Sequence, residues 1–224
     1  MDVEIWSDVN CPWCYIGKRR FESALGRFEY AGDVTVVWRS FELDPAAPHE
    51  TPGNGASMLA EKYGVPLERA EAMEQNVTDV AAAEGLEYHL DSARIGSSFD
   101  AHRLVHLAKR EGLQDAMKER LFRARFTEGR LISDRETLVE LATEVGLDGE
   151  EARTMLASDL FTADVREDEV MANRLGISGV PMFVVDRAYG MSGAQPPEQL
   201  LALLEHAWES GDGPDQPGSN PASG

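Results

Sequence analysis

The chain has 224 residues, 40 acidic and 21 basic, for a formal charge of −19. That length carries one well-packed core, or one core with an appended lobe. No window approaches about eighteen consecutive apolar residues, which argues against a membrane-spanning helix. The negative charge disfavours nucleic acid and anionic membrane as partners. It reads as a solvated, self-repelling surface, with adaptation to high salt or a preference for basic partners as the alternative.

The chain opens directly on strand-like sequence with no basic-then-apolar leader before it, so the expected location is the cytoplasm. Residues 2–6 read as a strand with Val3 and Ile5 on one face. The polar stretch Ser7-Asp8-Val9-Asn10 leads into Cys11-Pro12-Trp13-Cys14, which holds the only two cysteines of the chain. A helical pattern follows, with Tyr15, Ile16, Phe21, Leu25 and Phe28 apolar and an end near Gly32. Cys11 is placed as the N-cap and Pro12 in the first turn, where a missing N–H costs nothing. A Cys-x-x-Cys where a strand hands over to a helix reads as a redox dithiol, and cytosolic cysteines are more often catalytic or metal-binding than structural. The basic run Lys18-Arg19-Arg20 reads as solvated.

A second strand begins at Val34 and runs to about Leu43, with Val34, Val36 and Trp38 on one face and Trp38 and Phe41 assigned to the core. Asp44 to Gly55 is a loop. The next hundred or so residues show helical stretches and no convincing strand: 57–63, 66–84, 99–110, 113–126, 133–145, 148–156 and 162–175, with 86–96 ambiguous. Ser133 and Glu136 have the spacing of a capping box. The break 176–181 leads to a hairpin, Met182–Val185 and Tyr189–Ser192, turning at Asp186-Arg187. Gly193-Ala194-Gln195 shapes the turn before a last helix, Pro197 to Trp208. Residues 211–224 are almost devoid of apolar side chains and read as a disordered tail.

The order is β-α-β, a helical block, then α-β-β-α. With Cys-x-x-Cys at the first strand–helix junction and Val180-Pro181 before the late hairpin, it resembles the thioredoxin fold. The large all-helical insertion after the second core strand resembles the DsbA family. The stretches Ser7–Gly17, Trp38–Pro45 (WRSFELDP), Asp100–Leu104, Gly179–Phe183 and Ser192–Gln195 are similar to its cytosolic FrnE-type branch. The resemblance implies an α/β thioredoxin-like domain from residues 1–48 and 160–210, with a helical insertion domain at 49–159. It implies protein disulfide oxidoreductase or isomerase chemistry and a cis bond at Val180-Pro181, whose backbone would bind an extended substrate by strand addition. Some members carry a second cysteine pair; this chain does not.

Disulfide exchange needs a thiolate to attack and a second thiol to resolve the mixed disulfide. Free amides and the dipole at a helix N-terminus favour a thiolate there. Cys11 is assigned as nucleophile, accepting from the amides of Trp13 and Cys14, and Cys14 as the resolving cysteine. Pro12 and Trp13 tune the couple, and Asp8 would oppose the thiolate if close in space. The expected redox group is the Cys11–Cys14 disulfide itself, with no bound cofactor and glutathione as a candidate co-substrate. The expected partners are protein or small-molecule thiols and disulfides, and the chain is a monomer or homodimer.

Zinc usually takes four ligands. His49, His89, His102, His106 and His206 are scattered, and no metal is expected. His102 and His106 share a helix face, with a structural or solvated role, and Glu42 reads as salt-bridged rather than as a proton relay. Two other readings compete. One is a glutathione-dependent isomerase or transferase of the 2-hydroxychromene-2-carboxylate isomerase or kappa class, a branch that uses a serine near the first cysteine position. The other is a non-enzymatic redox sensor.

Overall fold

The computed structural model describes residues 1–53 and 55–211. Its centre is strand β1 (Asp2–Ser7), buried from Val3 to Ser7. It runs parallel to β2 (Thr35–Ser40) and antiparallel to β3 (Met182–Val185), and β4 (Tyr189–Ser192) completes a sheet of order β2-β1-β3-β4. Ile5 lies opposite both Trp38 and Phe183, and Val3 opposite Val185, so these apolar side chains share a face. Helices α1 (Pro12–Leu25) and α9 (Pro197–Ser210) pack on each other at this core. Phe21 stacks on Phe183 at 5.5 Å, and Leu200, Leu204 and Ala207 join the same cluster. The other face carries Trp6 and Val184 against Ala172 of helix α8 (Thr162–Arg174) and Ile177. The Trp6 indole donates to the Asp168 carbonyl at 3.0 Å, so its burial leaves no orphaned donor.

Between β2 and α8 the described residues form helices α2 (Gly55–Tyr63), α3 (Leu67–Ala83), α4 (Phe99–Arg110), α5 (Gln114–Phe126), α6 (Arg135–Glu144) and α7 (Gly149–Leu156). The fold is therefore α/β, a thioredoxin-like β-α-β-α-β-β-α arrangement with a large helical insertion after its second strand. Leu104, Leu107, Met117, Leu121, Leu138 and Leu141 belong to the same apolar cluster as Val3 and Ile5. Strand β2 is an edge, and the insertion covers it. The Gln114 side chain accepts from the Trp38 N–H (3.1 Å) and donates to the Trp38 carbonyl (2.9 Å). Asp168 accepts from the Ser40 N–H at 2.8 Å. An edge satisfied by side chains offers no free ladder to another chain.

Several expectations are corrected. Helix α1 stops at Leu25 rather than near Gly32, and a short 3-10 turn at Ala31–Asp33 follows. Strand β2 stops at Ser40 rather than about Leu43, because the Leu43 N–H is taken by the Asp8 carboxylate at 2.7 Å. The cap of α6 is Asp134, which accepts from the Thr137 N–H at 2.8 Å; the Ser133 hydroxyl instead donates to the His49 carbonyl. Phe41 packs with the Trp6 cluster and Trp38 with the main core. The ambiguous segment 86–96 forms no regular element beyond a bridge from Ile95 to Thr51. The hairpin turns through Asp186 and Arg187, both at positive φ (48° and 55°). This left-handed pair matches strand twist. The Asp186 carboxylate accepts from the Asp2 N–H (2.7 Å), and Arg187 pairs with Glu4 (2.9 Å). Of the expected tail, Gly211 follows α9, and residues 212–224 lie outside the described residues. No described helix is long and apolar enough to cross a membrane.

Gly17, one turn beyond Cys14, marks where α1 meets the loop before β3. A Cβ there would lie 2.9 Å from Cγ of Pro181 and 3.5 Å from the Phe183 ring. Alanine in a helix gains about 1 kcal/mol over glycine, but overpacking against a rigid ring costs roughly 1–3 kcal/mol. Gly17→Ala is therefore expected to lose up to about 2 kcal/mol of stability, measured by denaturant unfolding. An alanine variant more stable than the parent would show that α1 and the Pro181 loop can separate freely.

Candidate active site

Cys11 has the extended backbone of an N-cap (φ −90°, ψ 111°), and Pro12 opens α1. Both cysteines are free thiols and both are buried, Cys11 at 4% exposure and Cys14 at 1%. The peptide bond Val180-Pro181 is cis. The Val180 carbonyl lies 3.6 Å from Cys11 Sγ, across 169 residues of sequence. The expectation that Cys11 Sγ accepts from the amides of Trp13 and Cys14 is corrected. The Cys14 N–H donates to the Cys11 carbonyl at 3.0 Å, and the Cys11 side chain makes no capping hydrogen bond. Trp13 is exposed beside the thiols (36%), and Val180 is half-buried.

The apolar bed of the dithiol comes largely from the insertion. Cys11, Cys14, Tyr15 and Ile16 cluster with Ala81, Leu86, Tyr88, Phe122 and Phe126. The rings of Tyr15 and Phe122 stack at 5.0 Å, as do those of Tyr88 and Phe126. The Tyr88 hydroxyl donates to the Pro12 carbonyl at 2.7 Å, tying the turn between the cysteines to the segment left ambiguous by the sequence. Burial, reinforced by a hydrogen bond and charge repulsion from Cys11, pushes the Cys14 thiol well above its ordinary value. Gly193 closes the far side, its N–H donating to the Pro181 carbonyl at 2.8 Å, while the Gln195 side chain returns to the Ser192 carbonyl.

Behind this apolar bed lies a buried polar group centred on Asp8. Its carboxylate accepts from the Asn10 N–H (3.0 Å) and the Leu43 N–H (2.7 Å) and lies 3.5 Å from His102 Nε2. Burial works against its charge, but His102 and the two amides outweigh that and hold the Asp8 carboxyl below its usual range. Burial also keeps His102 below the ordinary imidazole value. Arg125 reaches Asn10 Oδ1 at 3.2 Å, and burial brings its guanidinium down to about 10. Glu42 is salt-bridged to Arg166 at 2.6 Å, as read from sequence, yet burial lifts its carboxyl to about 7. Buried atoms without a hydrogen-bond partner among the described residues gather here: Ser7 Oγ, Glu42 Oε1, both His102 nitrogens and Arg125 Nη1.

The structure brings together Cys11, Cys14, Pro12, Trp13, Val180 and Pro181. His102 and His106 take different partners: His102 faces Asp8, and His106 lies 3.0 Å from Ser40 Oγ and 3.1 Å from Asp168 Oδ2. Among the described residues no group of three or more His, Cys, Asp or Glu is arranged to hold a metal ion. The basic run is not solvated as expected. Lys18 is buried among Glu22, Asp115 and Glu119, Arg19 pairs with Glu22 and Glu119, and Arg20 with Glu84. A cavity of about 550 Å³ lies elsewhere, lined by Arg39, Lys109, Phe161 and Met171 among others, without the dithiol. Sequence reasoning missed Tyr88 as a neighbour of the cysteines, and the burial of His102 against Asp8 and of Lys118 against the Phe122 ring. For Lys118 a signal existed: with Phe122 and Arg125 it falls at i, i+4, i+7 on a buried helical stripe.

The Asp8 contacts predict a pH-dependent stability. A carboxyl held low in the fold contributes stability that is complete above its unfolded value, about 3.9, and lost as the pH falls through the lower folded value. Asp8→Asn is expected to lose about 3 kcal/mol at pH 7, chiefly for the two charge-assisted hydrogen bonds from the Asn10 and Leu43 amides. The gap from the parent should hold down to about pH 4.5 and shrink below it, as read by denaturant unfolding across pH. A gap independent of pH would remove the ionised carboxylate from the account.

Residues 2–205 match the family described as DSBA-like thioredoxin domain. The uncharacterized protein YwbO of Bacillus subtilis (strain 168) is 30% identical over 195 residues, covering 82% of this chain and 86% of its own. The crystal structure of the probable DsbA oxidoreductase SCO1869 from Streptomyces coelicolor is similar at 48% identity, with a TM-score of 0.91 over 96% of this chain and 93% of that one. The cytosolic disulfide reductase DsbM from Pseudomonas aeruginosa, solved with GSH, shares the fold at 22% identity and a TM-score of 0.67, over 93% of this chain and 100% of its own. A free dithiol at the mouth of a helix, a cis-proline loop against it and a match over nearly the whole chain agree: this protein belongs to the DSBA-like thioredoxin domain family.

Proposed function

We propose that this chain is a thiol–disulfide oxidoreductase working through Cys11 and Cys14 in the cytoplasm. The observation that carries the proposal is the approach of Cys11 Sγ to the Val180 carbonyl at 3.6 Å, beside the cis Val180-Pro181 bond. Cys11 is the nucleophile, and Cys14, more deeply buried one turn on, resolves the mixed disulfide. In the reducing direction, Cys11 thiolate attacks one sulfur of a substrate disulfide, and the first substrate thiolate leaves. Cys14 thiolate then attacks Cys11 Sγ, the second substrate thiolate leaves, and the enzyme disulfide forms. Two electrons pass to the substrate, and both leaving thiolates take up protons.

Val180 and Pro181 hold the substrate. An extended peptide lying along Val180 would continue the direction of β3, which begins at Met182. Pro12 and Trp13 tune the couple: Pro12 stiffens the turn, its carbonyl is held by Tyr88, and Trp13 offers an uncharged apolar surface. Residues 1–48 and 160–210 form the thioredoxin-like unit, and 49–159 a helical cover that supplies the bed of the dithiol. Glutathione is the proposed small-molecule partner, a reading supported by the structurally similar reductase solved with GSH.

Cys11→Ser is expected to abolish exchange in an insulin-reduction assay. Cys14→Ser is expected to trap mixed disulfides visible by mass spectrometry and to lower turnover by at least about 10²-fold, because the resolving thiol is lost. Full activity in Cys11→Ser would sink the mechanism. A glutathione-requiring activity on a small molecule that survives Cys14→Ser would establish the isomerase or transferase reading instead.

A further inference from the structure

The cavity away from the dithiol, about 550 Å³, has the size of a small-ligand site, about 300–1,000 Å³. It is lined by the end of α4, the first turns of α8, Arg39 of β2 and Arg187 of the hairpin turn. One part of its wall is strained. Phe161 stands before α8 at φ 63° and ψ 7°, a left-handed backbone that a bulky side chain rarely adopts. The segment leading to it is held by buried Arg103, whose guanidinium donates to the carbonyls of Met155 (2.7 Å), Ser158 and Leu160 (2.9 Å). Such strain persists only where the surroundings enforce it, and it clusters at ligand clamps and active sites. Here it sets the Phe161 ring into the cavity wall, stacked on His106 at 6.3 Å and 5.9 Å from the Arg110 guanidinium. Most charges around the cavity are already neutralised. Arg39 pairs with Glu4 (2.8 Å) and Asp168 (2.9 Å), Arg187 with Glu4 (2.9 Å), and Arg110 with Glu111 (2.7 Å). Three are not. Lys109 on α4, and Asp164 and Glu167 on α8, are exposed and have no side-chain partner among the described residues. Asp164 and Glu167 are three apart and share a helix face. One cavity thus carries an unpaired cation on one helix and unpaired carboxylates on the other, and no ion pair closes the gap between them.

We infer that this cavity binds a small zwitterion of the amino-acid or short-peptide class, with its carboxylate at Lys109, its ammonium at Asp164 and Glu167, and its apolar body on Phe161 and Met171. The inference goes beyond disulfide exchange and does not rest on it, since the cavity contains neither cysteine. Charge decides the class of ligand. A chain of formal charge −19 repels a polyanion before it reaches Lys109. A simple cation would satisfy the two carboxylates but bring a like charge toward Lys109. A net-neutral molecule carrying both charges avoids both penalties and makes a charge-assisted hydrogen bond at each end. The paired arginines serve as fixed walls. Through Glu4 and Asp168 they tie β1, β2, the hairpin turn and α8 together around the space, so the site is formed before the ligand arrives.

The test titrates the isotope-labelled full chain with three forms of one dipeptide and follows the backbone amide resonances. The probes are leucyl-leucine, its N-acetyl derivative, which lacks the ammonium, and its C-terminal amide, which lacks the carboxylate. Leucyl-leucine should give saturable shifts centred on residues 106–110 and 161–171. Each of the other two forms should bind at least about 10-fold more weakly, the size of one lost charge-assisted hydrogen bond. Lys109→Ala should weaken leucyl-leucine by about the same factor and leave the C-terminal amide form unaffected. The double variant Asp164→Asn, Glu167→Gln should weaken leucyl-leucine likewise and leave the N-acetyl form unaffected. All three side chains are exposed, so these variants are expected to fold as the parent does. Cys11→Ser should bind leucyl-leucine like the parent, which separates this site from thiol exchange. Equal affinity for the three forms, shifts centred on residues 11–14 and 180–181, loss of binding in Cys11→Ser, or no saturable shift up to about 10 mM would each overturn the inference.

Discussion

The close approach of Gly17 to Pro181 is the constraint on which the candidate site depends. Helix α1 carries the two cysteines, and the loop before β3 carries Val180. Only a residue without a Cβ lets the helix settle on the Pro181 ring. That contact aligns the start of α1 with the Val180 carbonyl and so puts Cys11 Sγ beside it. The rest of the frame holds both partners in place. Phe21 and Phe183 stack below the contact, β3 is paired to β1, and the Gly193 N–H binds the Pro181 carbonyl from the other side. Moving any one of these would move the sulfur relative to the surface on which an extended substrate would lie.

Beneath the dithiol, two kinds of environment meet. The aromatic bed of Tyr15, Tyr88, Phe122 and Phe126 is apolar and favours neutral thiols. The group around Asp8, behind that bed, is polar. Asp8 joins the loop before α1, the exit of β2 and helix α4 through a single carboxylate. Its charge is sustained by backbone amides and His102 in spite of burial. Several other polar atoms around it lack partners among the described residues, an arrangement that a core serving packing alone would avoid, since each such atom carries a desolvation penalty of about 1–3 kcal/mol. Lys118 stands at the border of the two, held by a Ser7 carbonyl on one side and ring faces on the other.

The helical insertion is bound into this arrangement as well as lying beside it. Its residues share the main apolar cluster with β1, its Gln114 satisfies the β2 edge, and its Tyr88 hydroxyl reaches the backbone between the cysteines. The expectation of a solvated basic run failed for the same reason. Lys18 and Arg19 point toward α5, where Asp115 and Glu119 receive them. A charge run next to an insertion of opposite charge becomes an interface, which no local pattern in α1 can show.

By itself, the sequence determined what depends on neighbours a few residues apart. The strand-then-helix pattern around Cys11 and Cys14, the proline in the first turn, the order of elements and the late hairpin all follow from local periodicity and turn chemistry. Boundaries slipped where a distant group competed for a backbone atom: Leu43 left the strand for Asp8, and Ser133 gave its cap to Asp134 in favour of His49. Only the tertiary structure decided what surrounds the thiols. Val180 lies 169 residues from Cys11, Tyr88 76 from Pro12, and Lys118 111 from Ser7. A helical stripe reveals that Lys118 is buried, but not what it is buried against. Which face of one helix meets which loop is set by the packing of the whole core, and that packing gives Cys11-Pro12-Trp13-Cys14 its carbonyl neighbour, its aromatic bed and its buried cation.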